Sequence, residues 1–270
     1  MAQFFTTSDD IRLAYQVDDF TDPWRPAATL LLLHAAMGSS KRWYAMVPPL
    51  CRHFRVVRLD LRGHGDSQVP APDLPLGIDR LVRDVRELLD TIGAEGPVHV
   101  VGNSAGGYIG QQLAMQSPEL VRSLILFGST PGLKDSQALT WLPRVKKEGL
   151  RAFLAATITD RFPPGHDPGN IAWFLDEAAK NDDAWIGRFV GLMASQWWMD
   201  ELNRIHCPTL LVVPGAETVG HGDNYETMRA RIADAELISY PGLPHNICDI
   251  VPDRCAADVL TFLRRRFPAG

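Results

Sequence analysis

The sequence predicts an α/β protein with a mostly parallel, doubly wound sheet, because short apolar runs alternate along the chain with segments of helical periodicity. These runs are too short for helices and suit strands that are buried on both faces of a parallel sheet. They are residues 28–34, 54–60, 98–101, 124–127 and 209–213. A chain of 270 residues, of which 46% are hydrophobic, is long enough to bury the core that this sheet needs.

Further segments complete the predicted α/β core. Residues 3–7 and 11–17 have an extended pattern and predict two antiparallel strands at the edge of the sheet. Helical periodicity is clearest at 78–92 and 253–267, where apolar residues recur on one face. The alternation of strands and helices predicts helices on both faces of the sheet.

One long segment interrupts the alternation. Residues 133–205 have a helical pattern without strand-like runs of comparable quality, and we predict that they form a helical cap inserted after the sixth strand. The core then consists of residues 1–132 and 206–270. Large apolar side chains of the cap predict either packing or the lining of an apolar pocket: Trp141, Trp173, Phe174, Trp185, Phe189, Met193, Trp197, Trp198 and Met199.

Composition and charge argue against several classes of partner. The net charge of −5 comes from 27 basic and 32 acidic residues scattered along the chain, so no basic stripe is available for nucleic acid or anionic lipid. The first ten residues lack a signal-peptide pattern, and no apolar run approaches the roughly 18 residues of a membrane span. We expect a cytoplasmic monomer or homodimer that acts on a small molecule, with neither a nucleic-acid nor a membrane partner.

The cysteines give no sign of a metal site or a disulfide framework. None of the four has C-x-x-C spacing, and none is flanked by histidines in the manner of a zinc site. We expect reduced thiols that are buried or half-buried. They are Cys51, Cys207, Cys248 and Cys255.

The segment 102–106 reads Gly-Asn-Ser-Ala-Gly and joins a predicted strand to a predicted helix. This is the G-x-S-x-G pattern of a nucleophile elbow, in which a serine lies on a tight strand-to-helix turn. Glycines two residues to either side allow neighbouring backbone to approach the turn. The pattern predicts that Ser104 is a catalytic nucleophile whose hydroxyl projects into solvent.

A serine nucleophile needs a histidine base and an acid that orients the base. His245 follows a predicted strand, and its loop lies at the carboxyl edge of the sheet, where α/β active sites are found. Glu217 lies two residues after Gly215, just beyond the preceding strand, which gives the chain order serine, acid, histidine. Asp223 and Asp249 are alternative acids.

Acyl transfer also requires hydrogen-bond donors for the developing oxyanion. The N–H of Ala105 lies at a predicted helix N-terminus, and the second donor is expected from the loop 34–40, with Ala36 favoured and Ala35 as the alternative. Met37 and Tyr108 lie close to these positions along the chain, so we predict that they contact substrate. From the cap, Trp141 is predicted to do the same.

Taken together, the elbow, the loop 34–40, the segment 60–67, the late acid and the final histidine resemble the α/β-hydrolase superfamily over nearly the full chain. The pattern is most similar to 3-oxoadipate enol-lactonase-like esterases and lactonases. It is also similar to meta-cleavage-product hydrolases, whose elbow often reads Gly-Asn-Ser-x-Gly-Gly. The resemblance implies a triad of Ser104, Glu217 and His245 under a cap. In these relatives, residues matching Asp60 and His64 are mostly structural.

Two positions depart from the pattern of these families. Where a His-Gly pair is common, this chain has His34 and Ala35, and alanine resists the positive φ angles that glycine adopts. Many relatives have Asp as the triad acid one position later, where this chain has Thr218. The first departure bears on the oxyanion loop and the second on the identity of the acid.

The sequence therefore predicts hydrolysis of a small carboxylic ester or lactone through an acyl-enzyme on Ser104, with neither a metal ion nor an organic cofactor. Alternatives are carbon–carbon bond or amide hydrolysis by the same triad, cofactor-free oxygenation of a heteroaromatic ring, and ligand binding without catalysis. Basic side chains of the cap are expected either to hold a substrate carboxylate or to form a solvated face: Arg144, Lys147, Arg151, Arg161 and Arg188.

Overall fold

The computed structural model describes residues 2–268, and it arranges eight strands of this range in one sheet with the order β1-β2-β4-β3-β5-β6-β7-β8. The pairs β1-β2 and β2-β4 are antiparallel, and every other pair is parallel. The predicted mostly parallel sheet with an antiparallel edge is thus confirmed. The strands are β1 (Gln3–Thr6), β2 (Arg12–Asp18), β3 (Thr29–Leu33), β4 (Arg55–Leu59), β5 (Val98–Asn103), β6 (Val121–Phe127), β7 (Thr209–Pro214) and β8 (Ala235–Tyr240).

Ten α-helices cover the two faces of the sheet or lie in the connections of the described chain. They are α1 (Val47–Cys51), α2 (Ile78–Thr91), α3 (Ala105–Gln116), α4 (Ala138–Glu148), α5 (Leu150–Ala156), α6 (Pro168–Ala178), α7 (Asp183–Ser195), α8 (Asn224–Arg231), α9 (Ile247–Ile250) and α10 (Pro252–Arg266). None of the helices between residues 2 and 268 combines the length and hydropathy needed to cross a lipid bilayer.

The central strands are apolar throughout because both of their faces are covered. Every residue of β3, β5 and β7 is buried. Along β3 the side chains alternate between two clusters: Leu31 and Leu33 pack on the side of α2 and α3, whereas Leu30 and Leu32 pack on the side of α1 and α10. A strand buried on both faces has no need of polar alternation, which explains the continuous apolar runs in the sequence.

The helices α4 to α7 occupy the chain between β6 and β7. The two ends of this segment meet in an antiparallel bridge between Gly132 and Trp197, and the N–H of Trp198 donates to the carbonyl of Pro131 at 3.0 Å. The segment therefore leaves and rejoins the core at one place. That residues 133–205 form a cap separate from the core stays a prediction.

Candidate active site

The carboxyl ends of the parallel strands lie at one edge of the sheet, so the loops that follow β3, β5, β7 and β8 meet there. These four loops carry the oxyanion-loop candidates, Ser104, Glu217 and His245, in that order. The topology thus brings the predicted catalytic residues to one region of the molecule.

Ser104 joins β5 to α3 in a strained backbone conformation, with φ +50° and ψ −115°. A non-glycine residue at positive φ costs on the order of 1–3 kcal/mol and requires support from its surroundings. That support is present, because the Ser104 N–H donates to the carbonyl of Phe127 at 2.9 Å. The Ser104 carbonyl accepts from the Gly107 N–H at 2.9 Å and from the Ser129 hydroxyl at 2.7 Å.

The elbow glycines are required by close approach of other backbone atoms. A Cβ atom on Gly102 would lie 2.4 Å from Cα of Gly107, and a Cβ atom on Gly106 would lie 2.1 Å from the carbonyl oxygen of Leu33. Both distances are shorter than van der Waals contact. Glycine at these positions therefore lets α3 pack directly against β5 and the end of β3.

The predicted exposure of the nucleophile is wrong. Ser104 is only 9% exposed and His245 only 6%. The backbone just after α5 lies against the histidine loop, where the His245 N–H donates to the backbone carbonyl of Asp160 at 3.3 Å and the Asn246 N–H to that of Arg161 at 3.2 Å. Part of the segment between β6 and β7 thus encloses this edge of the sheet, which the elbow motif by itself does not reveal.

His245 and Glu217 form a hydrogen-bonded pair. Nδ1 of His245 lies 2.8 Å from Oε2 and 3.0 Å from Oε1 of Glu217. The carboxylate Oε1 also accepts the N–H groups of Val219 at 2.8 Å and Gly220 at 3.0 Å, which fixes its position. Because a carboxylate only accepts, Nδ1 carries the proton, and Nε2 of His245 is left as an acceptor.

Ser104 and His245 both border the end of β6. The carbonyl of Phe127 accepts the Ser104 N–H, and the next residue, Gly128, has φ +54°. A Cβ atom on Gly128 would lie 3.5 Å from both Cε1 and Nδ1 of His245, so the imidazole packs over this glycine. Ser104 therefore contacts Phe127, and His245 packs over Gly128, the next residue along the chain.

The surroundings of Glu217 favour its ionised form. Burial raises the pKa of this carboxyl. The charge of His245 and the hydrogen bonds from His245, Gly220 and Val219 lower the pKa by a larger amount, so the net pKa lies below its ordinary value. A carboxylate that stays ionised is able to stabilise an imidazolium on His245.

The alternative acids are directed elsewhere. Asp249 is buried and forms an ion pair with Arg42, in which Nε of Arg42 donates to Oδ1 at 3.1 Å. Asp223 is exposed at the start of α8. Thr218 donates its hydroxyl to Asp160 at 3.4 Å. Of the acids considered, Glu217 is the one that contacts His245 within the described residues.

Two backbone N–H groups fit the expected oxyanion donors. Ala105 is the first residue of α3, and its N–H donates to no acceptor within residues 2–268. The N–H of Ala36 likewise has no acceptor in the described chain. Close contact between Gly106 and Leu33 brings the start of α3 beside the loop that contains Ala36. The role of both groups as an oxyanion hole stays a prediction.

Ala35 does not need the conformational freedom of a glycine in this structure. Positive φ occurs at Met37, with φ +62°, and not at Ala35. His34 braces the loop, because its Nδ1 donates to the Ala35 carbonyl at 2.8 Å and its Nε2 accepts the Leu61 N–H at 3.0 Å. Burial lowers the pKa of His34 to about 4, so this imidazole is neutral at physiological pH.

Asp60 and His64 occupy structural positions. Asp60 accepts the Ser40 N–H at 2.6 Å and the Asp66 N–H at 3.0 Å, so it ties the oxyanion loop to its own segment. His64 is buried, with a pKa lowered to about 3 by burial, and its ring lies 4.7 Å from that of Phe189. Neither side chain contacts Ser104 or His245 through a hydrogen bond in the described structure.

The predicted substrate contacts differ in exposure. Met37 and Tyr108 are buried, and the Tyr108 hydroxyl lies 3.2 Å from that of Thr130. Trp141 is half-buried, with its ring 6.1 Å from that of Phe153. Contact of these three residues with substrate stays a prediction. Other large side chains of the segment 133–205 are buried in the main core: Phe174, Trp185, Phe189, Met193, Trp198 and Met199.

Sequence reasoning missed two features of the loops around the candidate site. Tyr225 is buried beside Glu217, and its hydroxyl has no hydrogen-bond partner among the described residues. Burial and the charge of Glu217 raise the pKa of this phenol. The Arg42–Asp249 ion pair joins the segment after β3 to the segment after His245. Neither feature belongs to a motif, so no local signal was available.

The cysteines are placed as expected. Cys51, Cys248 and Cys255 are buried free thiols, and Cys207 is a half-buried one. Among residues 2–268, no group of three or more His, Cys, Asp or Glu side chains is arranged to hold a metal ion.

Known proteins resemble this chain in sequence and fold. Residues 28–162 match the family model described as the α/β-hydrolase fold. A crystal structure of a hydrolase from Pseudomonas aeruginosa has a TM-score of 0.85 and 30% identity, covering 97% of this chain and 98% of that one. The enol-lactonase from Burkholderia xenovorans LB400 has a TM-score of 0.88 and 22% identity, covering 97% and 99% respectively. A 2-hydroxy-6-oxo-6-(2'-aminophenyl)hexa-2,4-dienoic acid hydrolase from Metapseudomonas resinovorans is 34% identical over 103 residues, which are 37% of this chain and 35% of that protein.

Proposed function

The chain belongs to the α/β-hydrolase-fold family, and from this premise we propose that it hydrolyses a small carboxylic ester or lactone through an acyl-enzyme on Ser104. The proposal depends chiefly on the 2.8 Å contact between His245 and Glu217, at the same sheet edge as the strained Ser104. A base oriented by an acid beside a serine elbow is the arrangement that acyl transfer to serine requires.

In the first half of the reaction, Nε2 of His245 accepts the proton of the Ser104 hydroxyl while the serine oxygen bonds to the substrate carbonyl carbon. The C–O bond to the leaving alcohol then breaks, and the alcohol oxygen takes the proton from His245. Glu217 stays ionised and stabilises the imidazolium that forms between these two transfers. The acyl group remains on Ser104.

In the second half, His245 takes a proton from water as the water oxygen bonds to the acyl carbon. The bond to the Ser104 oxygen breaks, and this oxygen recovers the proton from His245, which releases the carboxylic acid. The N–H groups of Ala36 and Ala105 stabilise the oxyanion in both halves, and one such donor contributes a factor of roughly 10² to 10³ in rate.

The proposal is tested by labelling with a fluorophosphonate probe and by turnover of p-nitrophenyl acetate. We expect Ser104→Ala to abolish labelling and to lower kcat by about three orders of magnitude or more. The matched control is Ser195→Ala, at an exposed serine whose hydroxyl donates to Leu192. Wild-type turnover by a folded Ser104→Ala protein, verified by its thermal unfolding, would contradict the proposal.

A second candidate function is hydrolysis of a carbon–carbon bond with the same residues. It is favoured by the 34% identity to the hexadienoic acid hydrolase, although that match spans about a third of the relative. Assays of vinylogous diketone acids beside esters and acylamino compounds of similar size distinguish the two reactions. A cytoplasmic location and a monomeric or homodimeric state stay predictions of the sequence.

A further inference from the structure

Five basic residues of the segment 133–205 were candidates for holding a substrate anion, and the structure separates them. Arg144 and Arg151 form exposed ion pairs with neighbouring carboxylates. Arg188 donates to two backbone carbonyls, and Lys147 is exposed. Arg161 differs from the other four because it is only 6% exposed.

Arg161 also differs from the other buried arginines. Four arginines are buried in the described part of the chain, and three of them form ion pairs with aspartates. No carboxylate oxygen of residues 2–268 lies within 4.0 Å of the Arg161 guanidinium nitrogens. The three pairs are Arg42 with Asp249, Arg58 with Asp18 and Arg62 with Asp84. The charge of Asp160 acts on Arg161 but forms no ion pair with it. A buried charge without a contacting counterion is costly, which makes Arg161 a candidate for binding an anion.

The guanidinium is held on one side and free on the other. Its Nη1 donates to the carbonyl and hydroxyl oxygens of Thr157 at 3.1 and 3.0 Å. Nε and Nη2 donate to no acceptor in the described chain. Two adjacent N–H donors of one guanidinium match the two oxygens of a carboxylate.

Arg161 borders the candidate active site. Its carbonyl accepts the N–H of Asn246, the residue that follows His245. The guanidinium carbon lies 5.7 Å from the ring centre of Trp141 and 5.9 Å from that of Phe153, so aromatic faces flank the charge. Burial lowers the pKa of Arg161 to about 10, which leaves it charged at neutral pH; the charges of Asp160 and Glu217 oppose this lowering, and the charge of Arg42 adds to it.

We propose that Arg161 binds a carboxylate of the substrate, so that the preferred substrate is an ester or lactone that also carries a free carboxylate. The inference rests on the proposed function, because it assigns the substrate class of the same site. A monoanion fits better than a phosphate dianion, since a single guanidinium between aromatic rings would leave the second charge of a dianion unpaired in a buried place.

The test compares two acyl groups of similar size, one charged and one neutral: mono-p-nitrophenyl glutarate and p-nitrophenyl pentanoate. We expect the wild-type protein to favour the glutarate ester in kcat/KM by at least about tenfold. Equal values for the two esters in the wild-type protein would overturn the proposal without any variant.

Variants then assign the preference to Arg161. We expect Arg161→Gln to lower kcat/KM for the glutarate ester by about 10- to 100-fold, mainly through KM, and to change the pentanoate value by less than about threefold. Arg161→Lys recovers part of the loss because it keeps the charge. Arg151→Gln, at an exposed ion pair with Asp176, is the matched control and keeps the wild-type ratio.

Failure of this proposal is distinguishable from failure of the proposed function. Fluorophosphonate labelling of Ser104 and pentanoate turnover report on the acyl-enzyme, whereas the ratio of the two esters reports on Arg161. Glutarate itself gives a readout without catalysis: it should raise the Tm of the wild-type protein and not that of Arg161→Gln. An unchanged ester ratio in a folded, labelled Arg161→Gln protein would overturn the assignment.

Discussion

The carboxylate of Glu217 holds Nδ1 of His245 at 2.8 Å and is itself fixed by two backbone N–H groups of the next turn. We expect Glu217→Gln to lower kcat by a factor of about 10² to 10⁴, because an amide neither carries the charge that stabilises an imidazolium nor enforces the Nδ1-protonated tautomer. Ester turnover with burst-phase kinetics measures the effect.

The control for this substitution is Glu226→Gln, at an exposed carboxylate that pairs with Arg229 and lies away from His245. It should leave kcat unchanged. If Glu217→Gln retained full activity while Asp249→Asn lost it without unfolding, the acid would have been assigned to the wrong residue.

Three buried neutral histidines make stability depend on pH. The pKa values of His34 and His99 are lowered to about 4 and that of His64 to about 3, in each case mainly by burial. Below pH 6.5 the unfolded chain binds protons that the folded chain does not, so the free energy of unfolding falls as pH decreases towards 4. Each histidine contributes about 1.4 kcal/mol per pH unit in that window.

Urea unfolding at pH 7, 6 and 5 measures this dependence. In His64→Gln, we expect the slope of unfolding free energy against pH to be shallower by the contribution of one proton, about 1.4 kcal/mol per pH unit. His206→Gln, at an exposed position, should keep the wild-type slope. Parallel slopes for the wild-type protein and His64→Gln would show that His64 does not contribute.

Gly106 and Gly187 are predicted to respond oppositely to alanine. A Cβ atom on Gly106 would lie 2.1 Å from the Leu33 carbonyl oxygen, and this backbone atom has no room to move, so Gly106→Ala should lower stability by at least about 3 kcal/mol. Gly187 lies within α7, where an added Cβ atom would meet nothing within 4 Å, so Gly187→Ala should gain about 0.5–1 kcal/mol. Chemical denaturation compares them, and a neutral Gly106→Ala would contradict the close packing of the elbow.

Arg62 and Asp84 form a buried ion pair whose halves depend on each other. Nε of Arg62 lies 2.6 Å from Asp84, and the arginine side chain is fully buried. Arg62→Met removes the main partner of this aspartate, which Arg80 still contacts, and also removes a partner of Asp9, so it should cost about 3–5 kcal/mol of unfolding free energy.

A double-mutant cycle tests the coupling within this pair. The double variant Arg62→Met, Asp84→Leu should be more stable than Arg62→Met, because it also removes the buried carboxylate that has lost its main partner. The exposed pair of Arg204 and Glu201 serves as the comparison, and Arg204→Met should change stability by less than about 1 kcal/mol. Additive losses in the buried pair would contradict the predicted dependence.

The fold was accessible from the sequence because its signals are local. Strands such as β3 and β7 are apolar at nearly every position since both faces are buried, and the elbow glycines are fixed by contacts with nearby backbone. The place of Glu217 after a strand is also a local signal, and the structure puts its carboxylate 2.8 Å from Nδ1 of His245, while its role as the triad acid stays a prediction.

The missed features depend on contacts between distant parts of the chain. The enclosure of Ser104 requires residues near Asp160 to lie against the His245 loop, and no pattern in either segment encodes that pairing. The sequence does not distinguish the five basic residues of 133–205 from one another. In the structure, Arg161 differs because it is buried without a carboxylate in contact with its guanidinium. The unpartnered hydroxyl of Tyr225 is a similar case within the described chain.

The bridge between Gly132 and Trp197 has a consequence for how this protein can change. Because the helical stretch departs from and returns to the sheet at adjacent points, it can lengthen, shorten or be exchanged as a cassette without shifting the register of β6 against β7. New selectivity can therefore evolve, or be engineered, in the cassette, provided that the backbone contacts of Asp160 and Arg161 with the His245 loop are kept.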